Sequence, residues 1–162
     1  MLSIRSALAV ILLSSVVVLG TALLSQYVGG LQPCELCLYE RWPYDTVIVL
    51  SGAALVSRPR RFGRTVLFLA ALLFVACAAL SLYHVSVEQH WIAGPSACTG
   101  DLQANSPEAL LRALQGRDTV QCDVVQWSFH GISLAGLNFA VSLALAGFSL
   151  WALGHVRTGG RR

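Results

Sequence analysis

Residues 66–87 read VLFLAALLFVACAALSLYHVSV, and none of these 22 residues carries a formal charge. A helix rises about 1.5 Å per residue, so about 20 apolar residues are enough to cross the hydrocarbon core of a bilayer. Two further uncharged runs of that length lie on either side, at residues 7–28 and 131–154. The sequence therefore predicts an integral membrane protein, with the first run retained as a helix.

A shorter apolar run, residues 46–56, predicts a fourth span. Its 11 residues are too few to cross alone, so we expect the helix to extend outward to Pro43, a residue tolerated in a first turn. The predicted spans are residues 7–28, 43–57, 65–87 and 131–154. The outer loops are then residues 29–42 and 88–130. We expect residues 1–162 to form one all-α domain, a four-transmembrane-helix bundle.

The distribution of charge predicts the orientation of these spans. All eleven cationic residues are arginine. With four spans, eight arginines and no acid lie on one side, whereas the other side has three arginines and all eight acids. Because arginine and lysine mark the cytoplasmic side, we expect both termini and the loop at 57–64 to be cytoplasmic. With three spans these segments could not share a side, so the pattern favours four.

Composition argues against two other classes of protein. Charged residues make up 12% of the chain and hydrophobic residues 56%, whereas soluble domains are about 25% charged. The net charge of +3 is small and no basic stripe with aromatic residues is present, so nothing indicates nucleic acid. We expect membrane lipid, and no nucleic acid, among the partners.

Four of the five cysteines fall in the loops predicted outside the cytoplasm, where thiols tend to oxidise: Cys34, Cys37, Cys98 and Cys122. They allow three interpretations, namely structural disulfides, a zinc site or a redox relay. The first pair closes too short a loop to stabilise a fold much. The second pair is separated by 23 residues, unlike the paired C-x-x-C units of a typical zinc site. The residues favour a redox relay without metal and leave the structural alternative open.

The residues near the first pair suggest a polar site at the membrane boundary. Arg41 follows Cys37 by four residues, on the same face of a helix, where it could stabilise a thiolate or simply reach the membrane surface. We expect Cys77, within a span, to be a packing residue. We expect His84 and His130, near span ends, to be interfacial residues without a chemical role.

Two segments resemble the DsbB-type disulfide-bond formation proteins. The sequence CELCLYER at residues 34–41 is similar to that family's C-x-x-C-x-Y-x-R signature. Cys122, followed by QWSFHG at residues 126–131, resembles its passage from the last cysteine into the fourth helix. With four spans and both termini inside, the resemblance covers most of the chain. It implies a quinone-dependent thiol oxidoreductase of the bacterial inner membrane with its cysteine loops in the periplasm.

The resemblance also implies a route for two electrons. A reduced periplasmic thioredoxin-fold oxidase of the DsbA type attacks a Cys98–Cys122 disulfide at Cys98. Cys122 then attacks a Cys34–Cys37 disulfide at Cys34, and Cys37 donates electrons to a ubiquinone or menaquinone supported by Arg41. The family often has Glu-His after the third span, whereas this chain has Glu88-Gln89-His90. His90 is therefore a candidate at the quinone, and the alternative is that it is shifted from that role and is a solvated loop histidine.

The second outer loop predicts a short helix of its own. Ser106 is a suitable N-cap, Pro107 fits the first position and Glu108 the first turn. Leucines near one face predict that this helix lies on the membrane surface. Two alternative functions remain, a DsbI-like branch serving a dedicated partner and a non-catalytic membrane scaffold with structural disulfides.

Overall fold

The computed structural model describes residues 3–57, 60–95 and 120–156. The helices in this part of the chain are α1 (Ile4–Tyr27), α2 (Glu35–Ser57), α3 (Arg60–Glu88) and α4 (Leu134–His155). A two-stranded antiparallel hairpin, β1 (Ser128–Phe129) and β2 (Ile132–Ser133), leads directly into α4. The predicted surface helix that begins at Ser106 lies outside the described residues. The fold is thus mostly helical.

Three of these helices, α1, α3 and α4, are long and apolar enough to cross a membrane. Several of their serine and threonine hydroxyls donate to carbonyls one turn earlier, as Ser15 does to Ile11 and Ser149 to Leu145. Such bonds satisfy hydroxyl groups that have no water to bind in a bilayer. Many large apolar side chains point outward, including Leu13, Val17 and Leu24 at 63–65% exposure. This outer surface is suited to lipid.

Helix α2 begins at Glu35, eight residues before the predicted start at residue 43. Pro43 therefore lies inside the helix, and the expectation that it occupies the first turn is wrong. Residues buried along one stripe explain the earlier start: Leu36, Glu40, Tyr44, Val47, Ser51 and Ala54. They recur every three or four residues, as the inward face of a helix does. Because this stripe is partly polar, hydropathy alone missed its first half.

The hairpin before α4 was also missed, since the predicted span began at residue 131. His130 and Gly131 have φ values of 50° and 82°, and two central residues with positive φ make the tight turn that joins short antiparallel strands. Ser133 then caps α4, because its side chain accepts a hydrogen bond from the Gly136 amide at 3.1 Å. The sequence signal for this hairpin was Gly131, which lies between two segments rich in apolar residues.

The core lies where α3 packs against α4 and against α2. Small side chains at this centre, such as Ala70, Ser81 and Ser142, are fully buried and allow close approach of the helices. Cys77 is also fully buried there, which confirms its expected packing role. Tyr44 crosses the centre, and its hydroxyl bonds to Asn138 at 2.7 Å and Ser142 at 2.8 Å.

Replacing Tyr44 with phenylalanine should lower the free energy of unfolding by about 1–3 kcal/mol, the usual cost of leaving a buried polar partner unsatisfied. Unfolding in mixed detergent and denaturing surfactant would measure the loss. Tyr39→Phe is the matched control, because the Tyr39 hydroxyl is bonded to the exposed carboxylate of Glu35 at 3.2 Å and not to a buried partner among the described residues. Equal losses in the two variants would contradict a structural role for the Tyr44 hydroxyl.

Candidate active site

Cys34 occupies the N-cap of α2. Its carbonyl accepts the first helical hydrogen bond, from the Leu38 amide at 3.2 Å. Its sulfur accepts from the Cys37 amide at 3.3 Å, as an N-cap side chain does toward the third helical residue. Hydrogen bonding from the Cys37 side chain, helped by this amide, lowers the pKa of the Cys34 thiol from its ordinary value. The helix start thus favours the thiolate, the reactive form of cysteine.

The sulfur of Cys37 lies 3.0 Å from that of Cys34. Both cysteines are free thiols, and a disulfide would bring the sulfur atoms to about 2.05 Å. This pair, called the dithiol below, is therefore in its reduced form. The Cys34–Cys37 disulfide of the oxidised form stays a prediction.

Cys122 lies beside the dithiol. It is disulfide-bonded and almost fully buried, in a cluster that also contains Cys34, Leu36 and Val87. The predicted partner of Cys122, Cys98, lies outside the described residues. The fold therefore brings together three of the four predicted redox cysteines.

The environment of His84 differs from the interfacial position that the sequence predicted. It is 3% exposed, and its Nε2 atom lies 3.5 Å from the Cys34 sulfur. Its other ring nitrogen, Nδ1, lies 2.9 Å from Oε1 of Glu40, a carboxylate that is itself 7% exposed. The expectation of a plain interfacial histidine is thus wrong, because His84 lies on the buried face of α3, against Cys34 and Glu40.

The contacts continue beyond Glu40 into the core. Asn138 donates through Nδ2 to Oε2 of Glu40 and to Ser81 Oγ, both at 2.8 Å. Together with Tyr44 and Ser142 these side chains form one hydrogen-bonded group, called the polar network below: His84, Glu40, Asn138, Ser81, Tyr44 and Ser142. The sequence signal that could have indicated this network was the presence of polar or ionisable residues inside apolar helices. Such residues are costly to bury in a membrane and commonly have a function.

A cavity of about 310 Å³ opens against the dithiol. Its apolar walls come from α1 and α4, with Val17, Val18 and Val141 among them. Cys34 and Cys37 both line it, as does Arg41, whose Nη1 donates to Oε1 of Gln26 at 2.7 Å. Gln26, which the sequence analysis did not single out, thus holds the guanidinium at the cavity wall.

His90 is in a different position from the one proposed for it. It follows the end of α3 in the left-handed conformation, with φ of 58°, and its side chain is exposed. Residues 84 and 88 of α3 line the cavity, and residue 90 is not among its walls. A role for His90 at the quinone stays an untested prediction, and His84 is the histidine that meets the dithiol.

Cys34, Cys37 and His84 could also hold a metal ion, since their ligand atoms all lie within 4.8 Å of one another. Two thiolates and an imidazole suit Zn²⁺. Such an ion would need the dithiol reduced and would occupy the same sulfur atoms as thiol–disulfide exchange. Metal binding and redox turnover at this site are therefore mutually exclusive.

A reduced dithiol at a helix N-terminus, beside a second cysteine pair and an apolar cavity among membrane-length helices, defines a membrane thiol oxidoreductase. The family model described as disulfide bond formation protein DsbB matches residues 4–152. This chain belongs to that family, whose members are thiol oxidoreductases that generate disulfides.

Similar proteins carry the same description. Disulfide bond formation protein B of Hahella chejuensis is 31% identical over 146 residues, which cover 86% of each chain. The protein of that name from Verminephrobacter eiseniae is 31% identical over 156 residues, covering 92% of this chain and 85% of the relative. The one from Stutzerimonas stutzeri is 27% identical over 157 residues, covering 92% and 94%. No solved structure matches the chain.

Proposed function

We propose that this chain is a thiol:quinone oxidoreductase of the bacterial inner membrane that reoxidises a periplasmic dithiol oxidase of the DsbA type. The observation that carries the proposal is the placement of the dithiol, because Cys34 and Cys37 both line an apolar cavity that also contains Arg41. A purely structural cysteine pair would need neither a cavity nor a cation beside it. An electron acceptor from the membrane needs both.

The proposed topology has four spans, with both termini in the cytoplasm and the dithiol at the periplasmic end of α2. Helix α2 has 23 residues, or roughly 34 Å at the rise of an α-helix, which is enough to cross. Val49 and Val56 on this helix are 69% and 82% exposed, as expected of side chains that contact lipid. The arginine-rich ends then lie on the cytoplasmic side, in accord with the positive-inside rule.

The residues around the cavity fit a quinone, either ubiquinone or menaquinone. A volume of about 310 Å³ falls at the lower end of the range for small-molecule sites, about 300–1,000 Å³. The valines and leucines of α1 and α4 would contact the ring and the start of the isoprenoid tail, and Arg41 would donate to a carbonyl oxygen. A bound quinone would supply a two-electron, two-proton acceptor next to Cys37.

The proposed exchange steps involve the four cysteines in order. A thiolate of the partner attacks Cys98, which breaks the Cys98–Cys122 bond and releases Cys122 as a thiolate. Cys122 attacks Cys34, and the electron pair of the Cys34–Cys37 bond leaves on Cys37. Burial of Cys122 and Cys34 in one cluster supports direct exchange. The reduction potentials of a structural disulfide and a DsbA-type oxidase differ by ~180 mV, which corresponds to about 8 kcal/mol for two electrons. An external electron acceptor is therefore needed.

Anaerobic mixing tests this proposal. Purified protein, a reduced DsbA-type partner and a soluble short-tail ubiquinone would be combined, and quinone absorbance followed together with partner thiols. We expect one quinone to be reduced for each partner disulfide formed. Partner oxidation that proceeds without any change in quinone absorbance, or no partner oxidation at all, would contradict the proposal.

Replacing Arg41 with alanine should raise the apparent KM for quinone about 10- to 150-fold. A hydrogen bond to a charged group contributes about 1.5–3 kcal/mol, and each 1.4 kcal/mol corresponds to about tenfold. Lysine at this position should restore only part of the affinity, since it keeps the charge but not the planar guanidinium. Steady-state kinetics over a range of quinone concentrations would measure both variants.

The control for this prediction is Arg5→Ala, since Arg5 is exposed near the opposite end of the bundle and should leave KM unchanged. Single-turnover oxidation of the partner should also survive in Arg41→Ala, because the distal cysteine pair remains. If Arg41→Ala keeps quinone kinetics within about twofold of the parent, Arg41 serves only as an interfacial anchor.

A further inference from the structure

The polar network ends at the dithiol, and its last member is His84. Nε2 of this imidazole lies 3.5 Å from the Cys34 sulfur and 4.0 Å from Oε1 of Glu88. The ring is 3% exposed and also lines the cavity. It is therefore a buried acid–base group in contact with a reacting sulfur and open to the site where the acceptor would bind.

The partners of Glu40 determine which nitrogen of His84 carries its proton. Oε2 of Glu40 accepts from the Asn138 amide at 2.8 Å, and Oε1 faces Nδ1 of His84 at 2.9 Å. A carboxylate that accepts at both oxygens requires Nδ1 to be the donor. In the neutral ring Nε2 is then unprotonated, so its lone pair is directed at Cys34.

The orientation of Asn138 is itself determined by its neighbours. Its Oδ1 accepts from the Tyr44 hydroxyl at 2.7 Å, which leaves the amide nitrogen to face Glu40 and Ser81. Tyr44, having used its proton on Asn138, accepts from Ser142 at 2.8 Å. The whole chain of donors therefore points one way, toward the carboxyl group of Glu40, which fixes the tautomer of His84 in the manner of carboxylate–histidine pairs.

We propose that His84 is the proton acceptor for the Cys34 thiol and that Glu40 is a positioning residue holding its imidazole. The proposal rests on the proposed function for its oxidant, a quinone. When the Cys34 sulfur bonds to the Cys37 sulfur, its S–H bond breaks and the proton passes to Nε2. Two electrons leave the sulfur pair for the quinone, which takes up the proton held on Nε2 and a second proton from the Cys37 thiol, so that the products are a disulfide, a quinol and a neutral imidazole.

The groups that face His84 are consistent with this role. From α2 and its N-cap, the imidazole is in contact with Cys34 and Glu40 and interacts electrostatically with Cys37. From α3, Glu88 approaches it from one turn further along the helix. Helix α4 contributes the neutral Asn138, and Arg41 shares the cavity wall. Carboxylates on two sides stabilise the imidazolium that forms after proton transfer.

The test measures Cys34 in protein without quinone. Cys37, Cys98 and Cys122 are replaced by serine so that Cys34 has no disulfide partner, and its alkylation by iodoacetamide is followed from pH 5 to pH 10 by peptide mass spectrometry. At pH 7, His84→Gln should slow alkylation about tenfold, and the rate should recover as the pH rises past the ordinary thiol pKa near 8.5. Glu40→Gln should act in the same direction, and Glu40→Asp should restore part of the rate.

A second readout uses the chain with all its cysteines. In steady-state turnover His84→Gln should lower kcat about 100-fold, the lower end of general acid–base contributions, with KM for quinone changed less than about threefold. His155→Gln is the matched control, because His155 is exposed at the opposite end of α4, where its Nδ1 contacts the Trp151 carbonyl. If His84→Gln does not insert into the membrane, Glu40→Gln and Glu40→Asp provide the same measurements of alkylation rate and turnover.

The outcomes separate the two proposals. Equal alkylation rates in His84→Gln and His155→Gln would overturn the role of His84, even where the parent protein reduces quinone normally. Slower alkylation in His84→Gln supports that role, and if the parent chain then fails to reduce quinone, only the proposed acceptor is wrong. A loss confined to KM would make His84 part of the acceptor-binding surface and would also overturn the proposal.

Discussion

Serine at position 37 is expected to abolish quinone reduction, with turnover at least about 1,000-fold below the parent, while the protein remains inserted and folded. Cys37 lines the cavity together with Cys34 and Arg41, and a hydroxyl cannot form the disulfide through which electrons leave. The C-x-x-C loop is too short to stabilise the fold much through chain entropy. Cys34→Ser should have the same effect. Quinone absorbance under anaerobic conditions would measure both variants.

Cys77→Ser is the control for this prediction. Cys77 is fully buried in the core, so its replacement tests whether loss of any thiol impairs turnover. We expect Cys77→Ser to retain most of the activity of the parent. Wild-type turnover in both Cys34→Ser and Cys37→Ser would remove the dithiol from the reaction and with it the proposed function.

Alanine at position 122 is expected to trap a mixed disulfide between this chain and its partner, so that most of the partner runs as a complex on non-reducing gels. The Cys98 thiol of this variant attacks the disulfide of an oxidised partner, which breaks the S–S bond of the partner, and no Cys122 thiol is present to resolve the complex. Cys98→Ser should trap none, because this variant lacks the sulfur that we propose bonds to the partner. The effect is close to all-or-none.

The control is the double variant Cys98→Ser with Cys122→Ala, which should form no complex. Reduction of the gel sample should dissolve the complex of the single variant. A trapped complex with Cys98→Ser and none with Cys122→Ala would reverse the two roles. Absence of a complex in every variant would contradict exchange at the distal pair.

The site was only partly predictable. The spacing of Cys34, Cys37 and Arg41 is local, and local spacing on a helix specifies which side chains share a face. The sequence analysis therefore identified these residues, and the structure places all three at one cavity. It could not identify Gln26 as the partner of Arg41, because that contact joins two helices that are separated by a loop.

His84 and His90 illustrate the same limit. Their separation in sequence is six residues, yet one is buried against Cys34 and the other is exposed beyond the end of α3. The choice depends on where α3 stops and how it rotates against α2, and both are set by packing. The family pattern after the third span pointed to His90, whose role at the quinone stays a prediction.

What this sequence determined by itself was the membrane character, the helical fold and the cysteine chemistry. Long uncharged runs admit few structures other than helices in a bilayer, because every backbone polar group must be bonded internally. Only the tertiary structure decided the start of α2, the inward turn of His84 and the network through Glu40 and Asn138. Each of these depends on burying a polar group against a partner far along the chain, and such a pairing has no signal in local hydropathy or spacing.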